Sequence, residues 1–116
     1  MKNLKTFIVL MIDMVVAIYS TARKVEDVKK IARILVEEKL VACVNIIPKI
    51  ESIYRWQNKI EEDNECVMIA KTTDKNIEET IQKIQEIHPY KVPDIVVLPI
   101  INGLEEYLNY VKDETK

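Results

Sequence analysis

The period of the apolar residues switches back and forth along this chain, and that alternation restricts the possible folds more than any single residue does. Val15–Tyr19 is a short β-branched and aromatic run, read as a strand. In VEDVKKIARILVEEKL the apolar side chains fall at 25, 28, 31, 32, 35, 36 and 40, the stripe of an amphipathic helix. VACVNII (41–47) returns to extended structure. Pro48 cannot donate to a sheet ladder, so it bulges or interrupts that strand. IESIYRW (50–56) resumes it, with Ile50, Ser52, Tyr54 and Trp56 on one face and Ile53 and Arg55 on the other. Residues 57–59 form a turn in which Asn58 best tolerates a positive φ, and ECVMIAKTT (65–73) is the returning strand.

Asp74 is expected to cap a second helix, KNIEETIQKIQEIH, which Pro89 ends at or just before His88. DIVVLPII (94–101) reads as a buried-type strand with Pro99 at an edge or bulge. LEEYLNYV (104–111) reads as a short last helix, capped by Asn102, with Leu104, Tyr107, Leu108 and Val111 inward. The order is β-α-β-β-α-β plus a terminal helix: an α+β, ferredoxin-like split-βαβ plan with an extended β-hairpin. Right-handed crossovers put both helices on one sheet face. Ile53 and some of Val67, Met68 and Ile69 are then left uncovered on the other, which marks an interface, a homo-oligomer and folding coupled to assembly.

Composition narrows the function. A chain of 116 residues is one domain, 14–112, with residues 1–13 an N-terminal extension and 113–116 a tail. The net charge is −2 with no basic cluster, so nucleic acid is not an expected partner. Gly103 is the only glycine, which excludes a glycine-rich phosphate cradle. Cys43 and Cys66 have neither C-x-x-C nor zinc spacing, and a reducing, cytoplasmic setting with no disulfide is expected. The lysines and apolar run of 1–20 resemble a secretory signal, but Asp13 interrupts the run, which is too short to span a membrane. Met14 is an alternative start.

Three readings compete for His88, the only histidine: a packed residue at a helix end, a ligand-binding group, or a catalytic acid/base, in that order. A metal site needs three or four donors, and within one chain these would come from Cys43, Cys66, Met68 and His88 on distant segments. Ser20, Ser52 and the cysteines lack the signature of an activated nucleophile, so no enzymatic activity is expected. Tyr54-Arg55-Trp56 is a packing ladder or a recognition surface. Lys71, before a helix start, is placed to meet an anion.

Four segments, EEKLVACVNIIP, SIYRW-x-x-KIEED, IAKTT and above all HPYKVPDIVVLP, in this order and spacing, resemble the CutA divalent-cation tolerance family over about residues 14–111. The resemblance implies a PII-like homotrimer whose hairpin strands pair between subunits. It implies a role in copper and other divalent-metal tolerance, with no required cofactor and no established enzymatic activity. Cu2+ or another divalent cation is the candidate metal, bound weakly at subunit clefts through His88 and Cys43. Arg55, Lys71, His88 and Tyr90 match the polar residues of those clefts, which gives a second reading: a signalling or scaffold trimer binding a small anionic ligand through Arg55, Lys71 and Tyr90. Some relatives carry a cysteine in the first strand and two consecutive histidines before Pro-Tyr, proposed as metal ligands. Here those positions hold Ser20 and Ile87-His88.

Overall fold

The computed structural model describes residues 13–116; the extension, apart from Asp13, lies outside the described residues. Its elements are β1 (Val15–Ala22), α1 (Val25–Glu37), β2 (Cys43–Trp56), β3 (Lys59–Thr73), a 3-10 turn (Asp74–Asn76), α2 (Ile77–Ile87), β4 (Ile95–Pro99) and α3 (Glu105–Asp113). The strands form one antiparallel sheet in the order β2-β3-β1-β4. This is the split-βαβ arrangement expected from the alternating periods.

The core lies between one sheet face and the helices. Ile18 and Ala22 of β1, Cys66, Met68 and Ala70 of β3, Val28, Ile31 and Leu35 of α1, and Ile84 of α2 make one cluster. Met68 therefore faces the helices, whereas Val67 and Ile69 lie on the opposite face, where Val67 is buried and Ile69 half-buried. Ile53 is exposed, but past the bulge at Pro48 it pairs with Glu62 on the helix side of the sheet, not on the opposite face expected for it. The opposite face has a smaller cluster of its own, Val15, Ala42 and Val111 with Ile100 and Leu108, because α3 folds back over that end of the sheet.

Helix α1 stops three residues before its apolar stripe does. Lys39 takes φ 59°, its N–H bonds Val36 O, and Leu40 N–H bonds Leu35 O. That is a Schellman cap with lysine in the place glycine usually takes. It turns Leu40 into the core, where it is fully buried. Asp74 makes no capping bond; its N–H bonds Met14 O, one carboxylate oxygen is buried without a partner, and the 3-10 turn leads into α2 instead. Likewise Asn102 accepts from Gly103 N–H and does not cap α3, whose first helical residues follow Leu104. Leu104 is exposed, and Tyr107, though 38% exposed, still turns to the sheet and reaches Cys43, so the apolar packing of the inner face of α3 is Leu108 and Val111.

The hairpin is longer than its apolar runs. A two-residue turn at Gln57 and Asn58, both at positive φ (48° and 66°), joins β2 and β3, as primed hairpin turns require. Strand β2 runs through Pro48 with a register shift between Ile47 and Ile50. The bulge leaves Pro48 and Lys49 opposite Cys66, whose thiol lies 3.0 Å from Pro48 O as its donor. It also flips the alternation. Val44 and Ile46 face the helices, whereas Ile50, Ser52, Tyr54 and Trp56 pair with Glu65, Asp63, Glu61 and Lys59 on the far face. Strand β4 is an edge strand, half-buried at Ile95 and Val97 and exposed at Val96 and Leu98, rather than the buried strand its composition suggests.

Candidate functional site

Polar side chains gather on the far face where the β1–β4 ladder gives out. Ser20 pairs with Ile95, and no β4 residue continues opposite Thr21. The N–H and C=O of a strand residue point to the same edge, so both of Thr21's groups need partners there. Side chains of the 88–94 segment supply them. Thr21 N–H donates to Asp94 Oδ1 at 3.1 Å, and His88 Nε2 lies 2.8 Å from Thr21 O. Pro89 and Pro93 of that segment have no N–H to offer.

The Thr21 hydroxyl donates to Asp94 Oδ2 at 2.7 Å and lies 3.1 Å from Glu65 Oε2. Glu65 Oε2 also accepts the Tyr90 hydroxyl at 2.7 Å. Burial first, then the bond to Glu65, holds the Tyr90 hydroxyl above its ordinary pKa. The Tyr90 ring stands edge-on to His88, centroids 4.7 Å apart, and the Arg23 guanidinium sits 6.0 Å from its centroid. Arg23 reaches Asp63 at 3.4 Å, and Tyr54 donates to the same carboxylate, which raises the pKa of that tyrosine. The bulge at Pro48 is what turns Tyr54 to this face.

A second polar group lies nearer α3. Lys71 Nζ donates to Asn45 Oδ1 at 2.8 Å and sits 5.4 Å from the Tyr107 ring centroid. Cys43 Sγ is 3.4 Å from Tyr107 OH; that bond, and then burial, raises the Tyr107 pKa. Cys43 pairs with Lys71, and Lys71 with Ala17, four residues from Thr21 on β1. At about 3.3 Å per residue that is roughly 13 Å along the strand. His88 and Cys43 are thus in different groups. Arg55 pairs with Ile60 beside the hairpin tip, eleven residues along β3 from Lys71 and roughly 35 Å away by the same spacing. Of the residues singled out in the sequence, His88 meets Tyr90 and Cys43 lies opposite Lys71, in two separate groups, and Arg55 joins neither.

The donor set can be tested against a divalent ion. Among the described residues no group of three or more His, Cys, Asp or Glu side chains is arranged to hold one. Both nitrogens of His88 already have partners, since Tyr90 N–H donates to Nδ1 at 3.0 Å. Cys66 is buried, which raises its pKa and keeps it a thiol, and Ser20 offers a buried hydroxyl without a partner. Sequence reasoning missed Thr21, Glu65, Asp94 and Arg23. Asp94 stands six residues after His88 with two prolines within the segment, a spacing that could have signalled side chains standing in for a strand.

A four-stranded antiparallel sheet backed by two crossover helices, with a polar cluster at one end of its other face, defines a ferredoxin-like subunit. The family described as CutA1 divalent ion tolerance protein matches residues 16–114, and the chain belongs to that family. It is similar to the Divalent-cation tolerance protein CutA of Thermus thermophilus, 46% identical over 90 residues, covering 78% of this chain and 87% of the relative. The solved structure of the Thermus protein superposes with a TM-score of 0.86 over 89% of this chain and 100% of that one, at 42% identity. The structure of the Periplasmic divalent cation tolerance protein CutA from Archaeoglobus fulgidus gives 0.86, at 38% identity over 89% of this chain and 100% of that one. The Protein CutA, chloroplastic, of Arabidopsis thaliana is 40% identical over 101 residues, which cover 87% of this chain and 56% of the relative.

Proposed function

We propose that this chain works without enzymatic activity, as a cytoplasmic homotrimer of divalent-cation tolerance that meets Cu2+ or another divalent cation weakly in the clefts between copies. One observation carries the assembly. Apolar side chains stand exposed in two separate places: Ile53, Trp56 and Ile60 on the hairpin, at 69, 55 and 62%, and Leu98, Ile101 and Leu104 around β4 and α3, at 50, 88 and 70%. Large apolar side chains left exposed in two such groups are what an interface covers. Because they are different surfaces at different ends of the sheet order, they suit head-to-tail contacts, which close into a ring when the rotation allows. The strands at the two sheet edges, β2 and β4, accompany them.

The donor set supports placing the cation between copies, because no single chain gathers three ligands among the described residues. Cys43, half-buried on the far face, is the accessible thiol for such a site, since Cys66 is buried. Equilibrium dialysis against Cu2+ should show uptake by the wild-type assembly and none by a dissociated Trp56→Asp chain. Equal uptake by both would refute a site between copies.

A PII-like signalling or scaffold role is the second reading. Lys71 favours it: among the described residues its ammonium is held by an amide oxygen and an aromatic face, without a carboxylate. Arg55 is too distant to share an anion with Lys71 or Tyr90 of its own chain, so the ligand would bridge two copies. A screen of anionic metabolites should raise the melting temperature with at least one of them, because binding to the folded state adds RT ln(1 + [L]/Kd). A flat screen would count against this reading.

A further inference from the structure

The imidazole of His88 completes a strand. Thr21 presents an N–H and a C=O at the edge of β1 one residue beyond the last β1–β4 pair, Ser20–Ile95. Asp94 takes the first and His88 the second. A carbonyl oxygen only accepts, so the 2.8 Å contact to Thr21 O places the ring hydrogen on Nε2. The neutral ring then has one lone pair, on Nδ1, and Tyr90 N–H donates into it at 3.0 Å. His88 is 8% exposed.

A metal ion binds an imidazole through a deprotonated nitrogen. Taking Nε2 would leave the Thr21 carbonyl without its donor, and taking Nδ1 would leave the Tyr90 N–H without its acceptor. The first loss strands a buried backbone group and the second a part-buried one. Nothing nearby repays it with soft donors. Ser20 beside Thr21 carries a hydroxyl, Ile87 beside His88 a hydrocarbon, the Cys66 thiol is bonded to Pro48 O, and Cys43 belongs to the other polar group. We infer that His88 is a strand-completing residue that positions the 88–94 segment through Thr21 O and Tyr90 N–H, and that any divalent cation this chain meets is bound without the imidazole. The inference rests on the geometry of a single chain and holds whether or not copies assemble.

Since His88 is the only histidine, an untagged protein labelled with 15N-histidine reports on it alone. The ring spectrum should show a neutral imidazole protonated on Nε2 and should not move on addition of Zn2+. With Cu2+, pulsed electron paramagnetic resonance should show no imidazole nitrogen coupling. A Zn2+-dependent shift of the ring resonances, or an imidazole coupling to Cu2+, overturns the inference. His88→Gln keeps a donor for Thr21 O but loses the aromatic acceptor. It should melt about 5 °C lower and bind as much Cu2+ in dialysis as the wild type. Lost Cu2+ binding with an unchanged melting temperature would also overturn it. Absence of Cu2+ uptake by the wild type, by contrast, would defeat direct copper binding in the proposed function and leave the assignment of His88 standing on the ring spectrum.

Discussion

Thr21 has three polar groups and all are engaged: its N–H and hydroxyl by Asp94, its carbonyl by His88. One threonine thereby ties β1 to the segment between α2 and β4, and through Glu65 to Tyr90 on that same segment. Thr21→Val keeps the shape and removes the hydroxyl. Losing a part-buried bond to an exposed carboxylate, which water can still satisfy, should cost about 0.5–1.5 kcal/mol, read from urea unfolding; an unchanged midpoint would show that the hydroxyl is not part of the clamp. Tyr90 supplies a pH dependence. Its hydroxyl is raised above the ordinary tyrosine pKa of about 10 by burial and by Glu65. The folded chain thus keeps the proton where the unfolded chain loses it. The resulting stability is full below about pH 10 and is lost as pH climbs from there toward the folded value. Between about pH 10 and 12 the wild type should therefore lose more stability than Tyr90→Phe, and parallel unfolding profiles for the two would rule this out.

At the scale of elements, much was legible in the sequence. The stripe of α1 is read directly from Val28, Ile31, Ala32 and Leu35, all buried, and the bulge at Pro48 from a missing N–H. The hairpin turn followed from Asn58. What was not legible has physical causes. The apolar stripe of α1 runs on to residue 40 because its stop, Lys39 in a left-handed conformation, is not a glycine. Which of Val67, Met68 and Ile69 turn away from the helices is not legible in a run such as CVMIA; the pairing with β1 settles it, with Met68 inward. Of the site, the His-Pro-Tyr segment stood out, whereas Thr21 and Glu65 are ordinary strand residues whose roles come from partners 73 and 25 positions away. Lys39→Gly relieves the left-handed strain at a Schellman cap and should stabilise the chain by about 0.5–1 kcal/mol. A lower melting temperature would show that the lysine side chain has a stabilising contact that outweighs the strain.

For the whole molecule, the division of apolar residues matters most. Ile18, Leu35, Leu40 and Ile84 are fully buried within one chain, whereas Ile53, Trp56, Ile60, Ile101 and Leu104 are not. Because the helix-side core is complete within one chain, folding does not have to wait for assembly as the uncovered face led one to expect. Trp56→Asp should accordingly break the assembly while far-ultraviolet circular dichroism stays native and the mass falls. Leu35→Ala removes a side chain from that core and should cost about 2–5 kcal/mol in either state of assembly. Trp56 and Leu98 lie on the same sheet face as the polar cluster around Thr21 and the Lys71 group, whereas Ile53 and Ile60 lie on the other. An assembly through both patches would set copies against both faces.

Sedimentation velocity of the wild-type chain at low micromolar concentration tests that arrangement most directly. Three copies of a 13.5 kDa chain should travel as a single species across the dilution series. A folded species of one chain's mass, stable over the same range, would contradict it, because the exposed hairpin and β4 surfaces would then have no copy to cover them.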